Sequence, residues 1–334
     1  MKLSILDVMP ISSGHSPTEA LQGAVELARL ADACGYERLW YAEHHGLGSI
    51  ASTSPELMIA HVGAATKGIR LGAGGVMLPN HVPLRVVEQY RTLEALFPGR
   101  VDMGIGRAAG TDPVTARALR SDPSGAFPER MAELLAFDRG EFPASHPWSR
   151  LNVTPAGVRL PPMYMLGSSG GSAVMAGQLG CAYAFASHFS PMPPRPATDA
   201  YRAAFRPSED FAAPHVIQAM HVIVGETQEE ADELALPVLY LLTHFMRDGS
   251  TPLLTPDEVR ATGFTARDAS GPMAMLLIHG DGASVRRKVE RILEVSGADE
   301  PLVMTLCHCP EARLRSYRLL AEAFDVAPRA SAAA

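Results

Sequence analysis

Gly35-Tyr36-Glu37-Arg38-Leu39-Trp40-Tyr41-Ala42-Glu43-His44-His45-Gly46 carries the clearest structural signature in this chain. Gly35 closes a helix that opens at Ser16-Pro17-Thr18-Glu19, a capping box with proline at the first helical position. Arg38 to Tyr41 then reads as a strand, and the strand ends on a carboxylate and two adjacent histidines. Outward from this unit the pattern repeats. Leu3 to Val8 is the strand before it, Ile69 to Leu78 the strand after it, and Val101 to Ile105 the next. Ser54-Pro55-Glu56 opens an intervening helix reaching Lys67, and Pro83 to Phe97 forms another, closed by Pro98-Gly99. Strand and helix thus alternate about every 32 residues, the mark of consecutive right-handed βαβ units and a parallel sheet.

The rhythm loosens over 121–160, a Pro/Ser-rich stretch read as an insertion with one helix, Pro128 to Phe137. Met163 to Leu166 is strand five, followed by Gly167-Ser168-Ser169-Gly170-Gly171-Ser172 and a helix to Gly180. Ala182 to Ala186, His215 to Val224 and Leu302 to Leu306 complete eight strands, with helices over Thr227–Met246, Ala283–Val295 and Pro310–Phe324. The expectation is an α/β chain with one (β/α)8 TIM barrel over 1–325. Within it, 121–160 is the insertion, 247–280 a Gly/Pro-rich mobile lid, and 326–334 a disordered tail. An open doubly wound sheet is the alternative.

The chain has 334 residues, is 47% hydrophobic and has a net charge of −7. It has no basic block to bind nucleic acid and no apolar run of the roughly 20 residues that a membrane span needs. No signal peptide is legible, and Cys34, Cys181, Cys307 and Cys309 are too sparse for a disulfide scaffold, so a reducing cytoplasm is expected. Cys307-His308-Cys309 lacks the second ligand cluster of a structural zinc site.

In such barrels, chemistry gathers at the carboxyl ends of the strands. There the sequence places Asp7, Glu43-His44-His45, Gly74-Gly75, Leu78-Pro79-Asn80-His81, Gly104-Ile105-Gly106-Arg107 and the Gly167–Ser172 turn. A Gly/Ser turn opening a helix offers free N–H groups to a phosphate, and Arg107 offers a permanent charge beside it. Gly104-x-Gly106-x-x-x-Gly110 misses the dinucleotide fingerprint, because its third glycine is displaced and no acidic residue follows where ribose binding needs one. Gly74-Gly75 inside an otherwise apolar strand signals a bulge or a close approach of the backbone to a flat ligand.

These residues give the chain its resemblance to the bacterial luciferase-like flavin monooxygenases, from residue 1 to about 325. The anchors are Cys34-Gly35-Tyr36, Trp40 to His45, Leu78-Pro79, Gly99 to Arg107, Gly297 to Glu300 and Ala312 to Tyr317. The subgroup it resembles includes monooxygenases that tailor polyketides and other natural products. The resemblance implies FMN as cofactor, in its reduced form FMNH2. His44 falls on the catalytic histidine that assists formation and reaction of the flavin peroxide. Gly74, Gly75 and Val76 fall on a non-proline cis peptide and strand under the flavin ring. Arg107, Gly167, Ser168, Gly170, Gly171 and Ser172 fall on the phosphate clamp. Gly106 stands where the luciferase alpha subunit has a reactive cysteine, so light emission does not carry over.

The leading expectation is a two-component FMNH2-dependent monooxygenase, supplied by a separate flavin reductase and using O2 on a bulky hydrophobic organic substrate. F420-dependent hydride transfer is the alternative within the superfamily. A metal-dependent hydrolase built on His44, His45, His81 and Asp7 is the alternative outside it. Met77, Val76, Met103, Met165, Phe185 and Phe189 are expected to line an apolar acceptor pocket. Met58, Ile59, Val62, Val87, Tyr90 and Leu93 supply more apolar surface than one inward stripe requires. The resemblance places the dimer contact on these same helices, so a homodimer is expected.

Overall fold

The computed structural model describes residues 1–121, 127–248 and 251–329. Its strands are β1 (Ser4–Asp7), β2 (Arg38–Tyr41), β3 (Arg70–Ala73), β4 (Val76–Met77), β5 (Val101–Gly106), β6 (Met163–Gly167), β7 (Ala182–Ala186), β8 (Val216–Gly225), β9 (Leu277–Asp281) and β10 (Glu300–Met304). The helices are α1 (Pro17–Cys34), α2 (Pro55–Gly63), α3 (Pro83–Leu96), α4 (Pro113–Ala118), α5 (Phe127–Arg139), α6 (Gly170–Leu179), α7 (Pro194–Ala204), α8 (Gln228–Asp248), α9 (Pro256–Ala261), α10 (Gly282–Ser296) and α11 (Pro310–Ala323).

Eight strands close a parallel barrel in the order β1-β2-β3-β5-β6-β7-β8-β10, and β10 returns to β1 with Leu302 opposite Ser4. Closure rules out the open sheet. Two strands depart from the sequence expectation. Ile69 to Leu78 is not continuous: β3 stops at Ala73, a cis peptide joins Gly74 to Gly75, and β4 resumes against Ile105 and Gly106. The second departure is β9, which lies inside the expected lid and pairs with the C-terminal half of β8, His221 to Gly225. With only five residues, Gly280 among them and Gly282 just beyond, it does not stand out as a periodic segment.

Local chemistry sets the boundaries. Ser16 and Glu19 exchange both capping-box bonds, and Gly35 sits at φ 87°, where a side chain would be strained. The second helix ends at Gly63 rather than Lys67. Asp32 takes the N–H groups of Lys67, Gly68 and Ile69 at 2.7, 3.1 and 2.8 Å, which fixes that segment as a turn. α4, α7 and α9 go beyond the sequence expectation. Each of them opens on a proline, which suits a first helical turn.

Residues alternate along each strand between the lumen and the helices. Leu6, Trp40, Ala42, Tyr164, Ala184, Ile217, Ala219 and Leu302 form one buried cluster, whereas Ile5, Leu39, Tyr41, Val303 and Met220 pack in the layer shared with α1 and α3. Met103, Met165 and Phe185 belong to that outer layer, so they do not line an acceptor pocket. Strand parity turns them away from the lumen. Likewise Met58, Ile59, Val62, Val87, Tyr90 and Leu93 are all buried within the chain, so they leave no surplus apolar face.

The expected lid is laced to the rim. Leu253 is buried, accepts from Ser13 N at 2.8 Å and donates to Ile11 O at 2.9 Å. Residues 249–250 of that segment, and 122–126 of the insertion, lie outside the described residues. The expected loose tail is attached as far as Arg329, which bonds Tyr36 O at 2.6 Å and faces Asp32 at 3.3 Å; 330–334 lie outside the described residues. No helix among the described residues is long and apolar enough to cross a membrane.

Candidate active site

Strand β2 sets the central histidine. Trp40 and Ala42 face the lumen, and the same alternation brings His44 inward just beyond the strand end. Its backbone N–H donates to Ser52 O at 2.8 Å, and its Nδ1 lies 3.1 Å from Gly110 O on the loop after β5. A carbonyl oxygen only accepts, so Nδ1 carries the proton in that contact and Nε2 of the neutral ring keeps a free lone pair. Burial pulls the His44 pKa below its ordinary value, outweighing the Gly110 bond and the charge of Glu43. The ring is therefore a neutral base, held by one carbonyl.

Glu43 has the opposite orientation and a different role. Its buried carboxylate accepts from Met77 N at 2.8 Å, Asn80 Nδ2 at 3.0 Å, His81 Nε2 at 2.9 Å and His45 Nε2 at 3.0 Å. Burial alone would raise its pKa, but the bonds from His45 and His81 hold it at about 2. The same partnership raises the pKa of His81 against its own desolvation. Glu43 thus ties β4 and the loop at residues 78–81 to the rim.

Glycines shape the wall beside His44. A Cβ on Gly104 would lie 2.0 Å from Ala73 O, and one on Gly75 2.8 Å from the Gly104 backbone. These glycines let the backbones of β3, β4 and β5 approach closely around the cis Gly74–Gly75 bond, with Leu6, Trp40 and Leu166 packed against them. The result is a bare backbone platform with Val76 buried at its end. That is the surface a planar ring needs.

The anion-binding candidates sit on adjacent strand ends. Arg107 directly follows β5, is exposed, and has no hydrogen-bond or ion-pair partner among the described residues. Gly167 ends the neighbouring β6, Ser168 follows it, and α6 begins at Gly170 without a side-chain cap. Gly170 and Gly171 leave open space where a Cβ would project, so the helix N–H groups are uncovered. Ser172 is different. It is buried against Gly167 and its Oγ donates to Ser169 O at 3.0 Å, so it shapes the turn. The residues present therefore fit a flavin phosphate and ring, with Arg107 and the α6 amides at one end and Gly74–Gly75 at the other.

The metal arrangement is not assembled. Asp7 pairs with Arg313 at 2.6 Å and accepts from Met9 N at 2.7 Å, while His45 and His81 are both engaged by Glu43. Among the described residues, no group of three or more His, Cys, Asp or Glu is placed to hold a metal ion.

Sequence reasoning missed two groups. At the N-terminal end of the barrel, Arg38 bonds Asp102 at 2.6 Å, Glu300 at 2.7 Å and Tyr164 at 2.7 Å, and Arg70 bonds Asp102 from the other side. His188 and His221 form the second group, at the C-terminal end. Both groups carry one sequence signal, a polar residue at the inward parity of an otherwise apolar strand.

Comparison with known proteins agrees with this geometry. The family model described as luciferase-like monooxygenase matches residues 1–300. A luciferase-like monooxygenase of Escherichia coli (strain K12) is 37% identical over 322 residues, 95% of each chain. The crystal structure of apo-MsnO8 superposes with a TM-score of 0.90 at 37% identity, covering 98% of each chain. Two solved structures share the fold alone. One is the oxygenating constituent of 3,6-diketocamphane monooxygenase in complex with FMN (TM-score 0.73, 18% identity, 99% of each chain). The other is an F420-dependent secondary alcohol dehydrogenase (TM-score 0.66, 16% identity, 97% of this chain and 99% of that one). With a closed barrel, an inward histidine after the second strand and a family match over most of its length, the chain belongs to the luciferase-like monooxygenase family.

Proposed function

We propose that this chain is the oxygenase of a two-component system that uses FMNH2 from a separate flavin reductase to insert one atom of O2 into a bulky hydrophobic molecule. The setting that fits is natural-product tailoring, such as polyketide or antibiotic biosynthesis, and the working form is a homodimer in the cytoplasm. The observation that carries the reading is the joint presence on one rim of a Gly74–Gly75 backbone platform, a neutral His44 and an Arg107 with no partner among the described residues. Reduced flavin, when bound, supplies the electrons that activate O2. Arg107, Ser168 and the α6 amides hold the phosphate, Gly74, Gly75 and Val76 support the ring, and His44 moves a proton through Nε2.

The test is cofactor binding by flavin fluorescence quenching, joined to O2 uptake and product analysis with FMNH2 from an unrelated reductase. Arg107→Ala removes a charge-assisted contact worth about 1.5–3 kcal/mol, so FMN affinity should fall at least tenfold while riboflavin affinity stays put. Equal losses for both ligands refute the phosphate assignment. Oxidation of reduced F420 without O2 uptake would replace the monooxygenase reading with hydride transfer.

A further inference from the structure

Two buried imidazoles at the mouth of the barrel have no role in the site as described. Along β7 the lumen-facing positions are Ala182 and Ala184, and His188 follows two residues past the strand, in the turn at residues 187–189. On neighbouring β8, Ile217 and Ala219 face the lumen and His221 follows at the same parity. The two rings lie edge to face, 5.9 Å between centroids, and the ring of Phe189 packs against His188 at 4.6 Å. His188 and His221 are 9% and 3% exposed, yet the Nδ1 atom of each is buried with no hydrogen-bond partner among the described residues. Native folds rarely leave one buried polar atom unpaired, and here two sit side by side.

We propose that His188 and His221 form the acceptor-anchoring end of this site, hydrogen-bonding the carbonyl or hydroxyl oxygen of an uncharged, largely apolar molecule held beside His44. Three features support that class of ligand. First, the pair stands on the rim that carries the candidate base: His188 lies past the carboxyl end of β7, His221 lies two residues beyond the level at which β7 ends opposite Ala219, and His44 lies past the carboxyl end of β2. Second, burial keeps both rings uncharged, with His221 pushed down to about 4 and His188 well below its ordinary value. Neutral rings offer a carboxylate no counter-charge, but they can bond an oxygen that is itself neutral. Third, Phe189 is 48% exposed at the rim, an apolar face on which the rest of the molecule can rest. The proposal deepens the monooxygenase reading by naming the acceptor class.

The test is binding without reduced cofactor, so it can fail independently of that reading, which stands or falls on FMN binding and O2 uptake. Calorimetry at pH 8 would compare 2-naphthol and 2-acetonaphthone with naphthalene and 2-naphthoate. The wild type should prefer both oxygenated neutral probes over naphthalene and 2-naphthoate by about tenfold or more, the scale of one or two neutral hydrogen bonds. His188→Phe and His221→Phe should each erase most of that preference while leaving FMN affinity unchanged. Because each replacement removes an unpaired buried polar atom, thermal stability should hold or rise, whereas a structural role for the rings would lower it. His221→Asn, which keeps a neutral hydrogen-bonding group near the Nδ1 position, should restore part of the preference. Weak or equal binding of all four probes by the wild type, or a preference that survives both Phe variants, overturns the proposal.

Discussion

A single carbonyl decides what His44 can do. Gly110 O fixes the proton on Nδ1, burial keeps the ring neutral, and Nε2 is left as the acceptor. His45, one residue on, spends its Nε2 on Glu43 and belongs to the loop scaffold. His44→Ala should therefore keep FMN affinity within a few-fold but uncouple turnover, with product falling by about 10²–10⁴, the usual contribution of a positioned acid–base group, and hydrogen peroxide rising in its place. His45→Ala should lose about 1 kcal/mol of stability and stay coupled. Parallel peroxide and product assays check both. A coupled His44→Ala beside an uncoupled His45→Ala would move the catalytic assignment to the opposite strand face.

At the level of elements, helices α2 and α3 bear on the dimer. The six apolar residues that suggested an interface are spent on the core, leaving Leu57 at 66%, Val82 at 66% and Leu96 at 59% exposure as the apolar surface on and around these helices. If the homodimer contact lies there, light scattering at micromolar concentration should give twice the chain mass. Leu57→Glu should shift it to monomer without changing thermal stability of the isolated chain, because burying a charge in an apolar contact is costly. A wild-type monomer, or a Leu57→Glu dimer, places the contact elsewhere or removes it. The same scale explains the split third strand. Its register on β5 is interrupted where the backbones of Ala73 and Gly75 close on Gly104, while Gly74 packs against Leu6 and Trp40.

For the whole molecule, the barrel is floored by charge and topped by imidazole. Arg38 is 3% exposed and holds Asp102 and Glu300 together, with His215 on the far oxygen of Glu300 at 2.9 Å. Removing one member strands the others, so Arg38→Met should cost about 3–5 kcal/mol in chemical denaturation. Neutralising all three with Arg38→Met, Asp102→Asn and Glu300→Gln should recover part of that loss. The acid limb follows from the same groups. Burial opposes the charge on Glu300, but His215 and Arg38 hold its pKa at about 2, against an ordinary value of 4.5. Glu43 behaves alike. A depressed carboxylate pKa stabilises the fold above the unfolded value, so this contribution is complete above about pH 4.5 and drains away towards pH 2. Denaturation midpoints measured across that window should fall steeply in the wild type and less steeply in Glu43→Gln.

The amino-acid order alone determined the repeating unit, because capping boxes, helix-ending glycines and apolar runs are local and act within a few residues. It also marked His44, Gly74–Gly75 and Arg107, since strand ends can be counted along the chain. Tertiary structure decided what parity and closure control. Met103, Met165 and Phe185 are apolar and near the rim, yet one residue of alternation turns them toward the helices. Asp102 and Glu300 stand 64 and 262 residues from Arg38 in sequence and meet it only because the barrel closes. His188 and His221 became a pair for the same reason. A strand's sequence shows that its two faces differ, but only the closed sheet assigns one face to the lumen and brings distant polar residues together there.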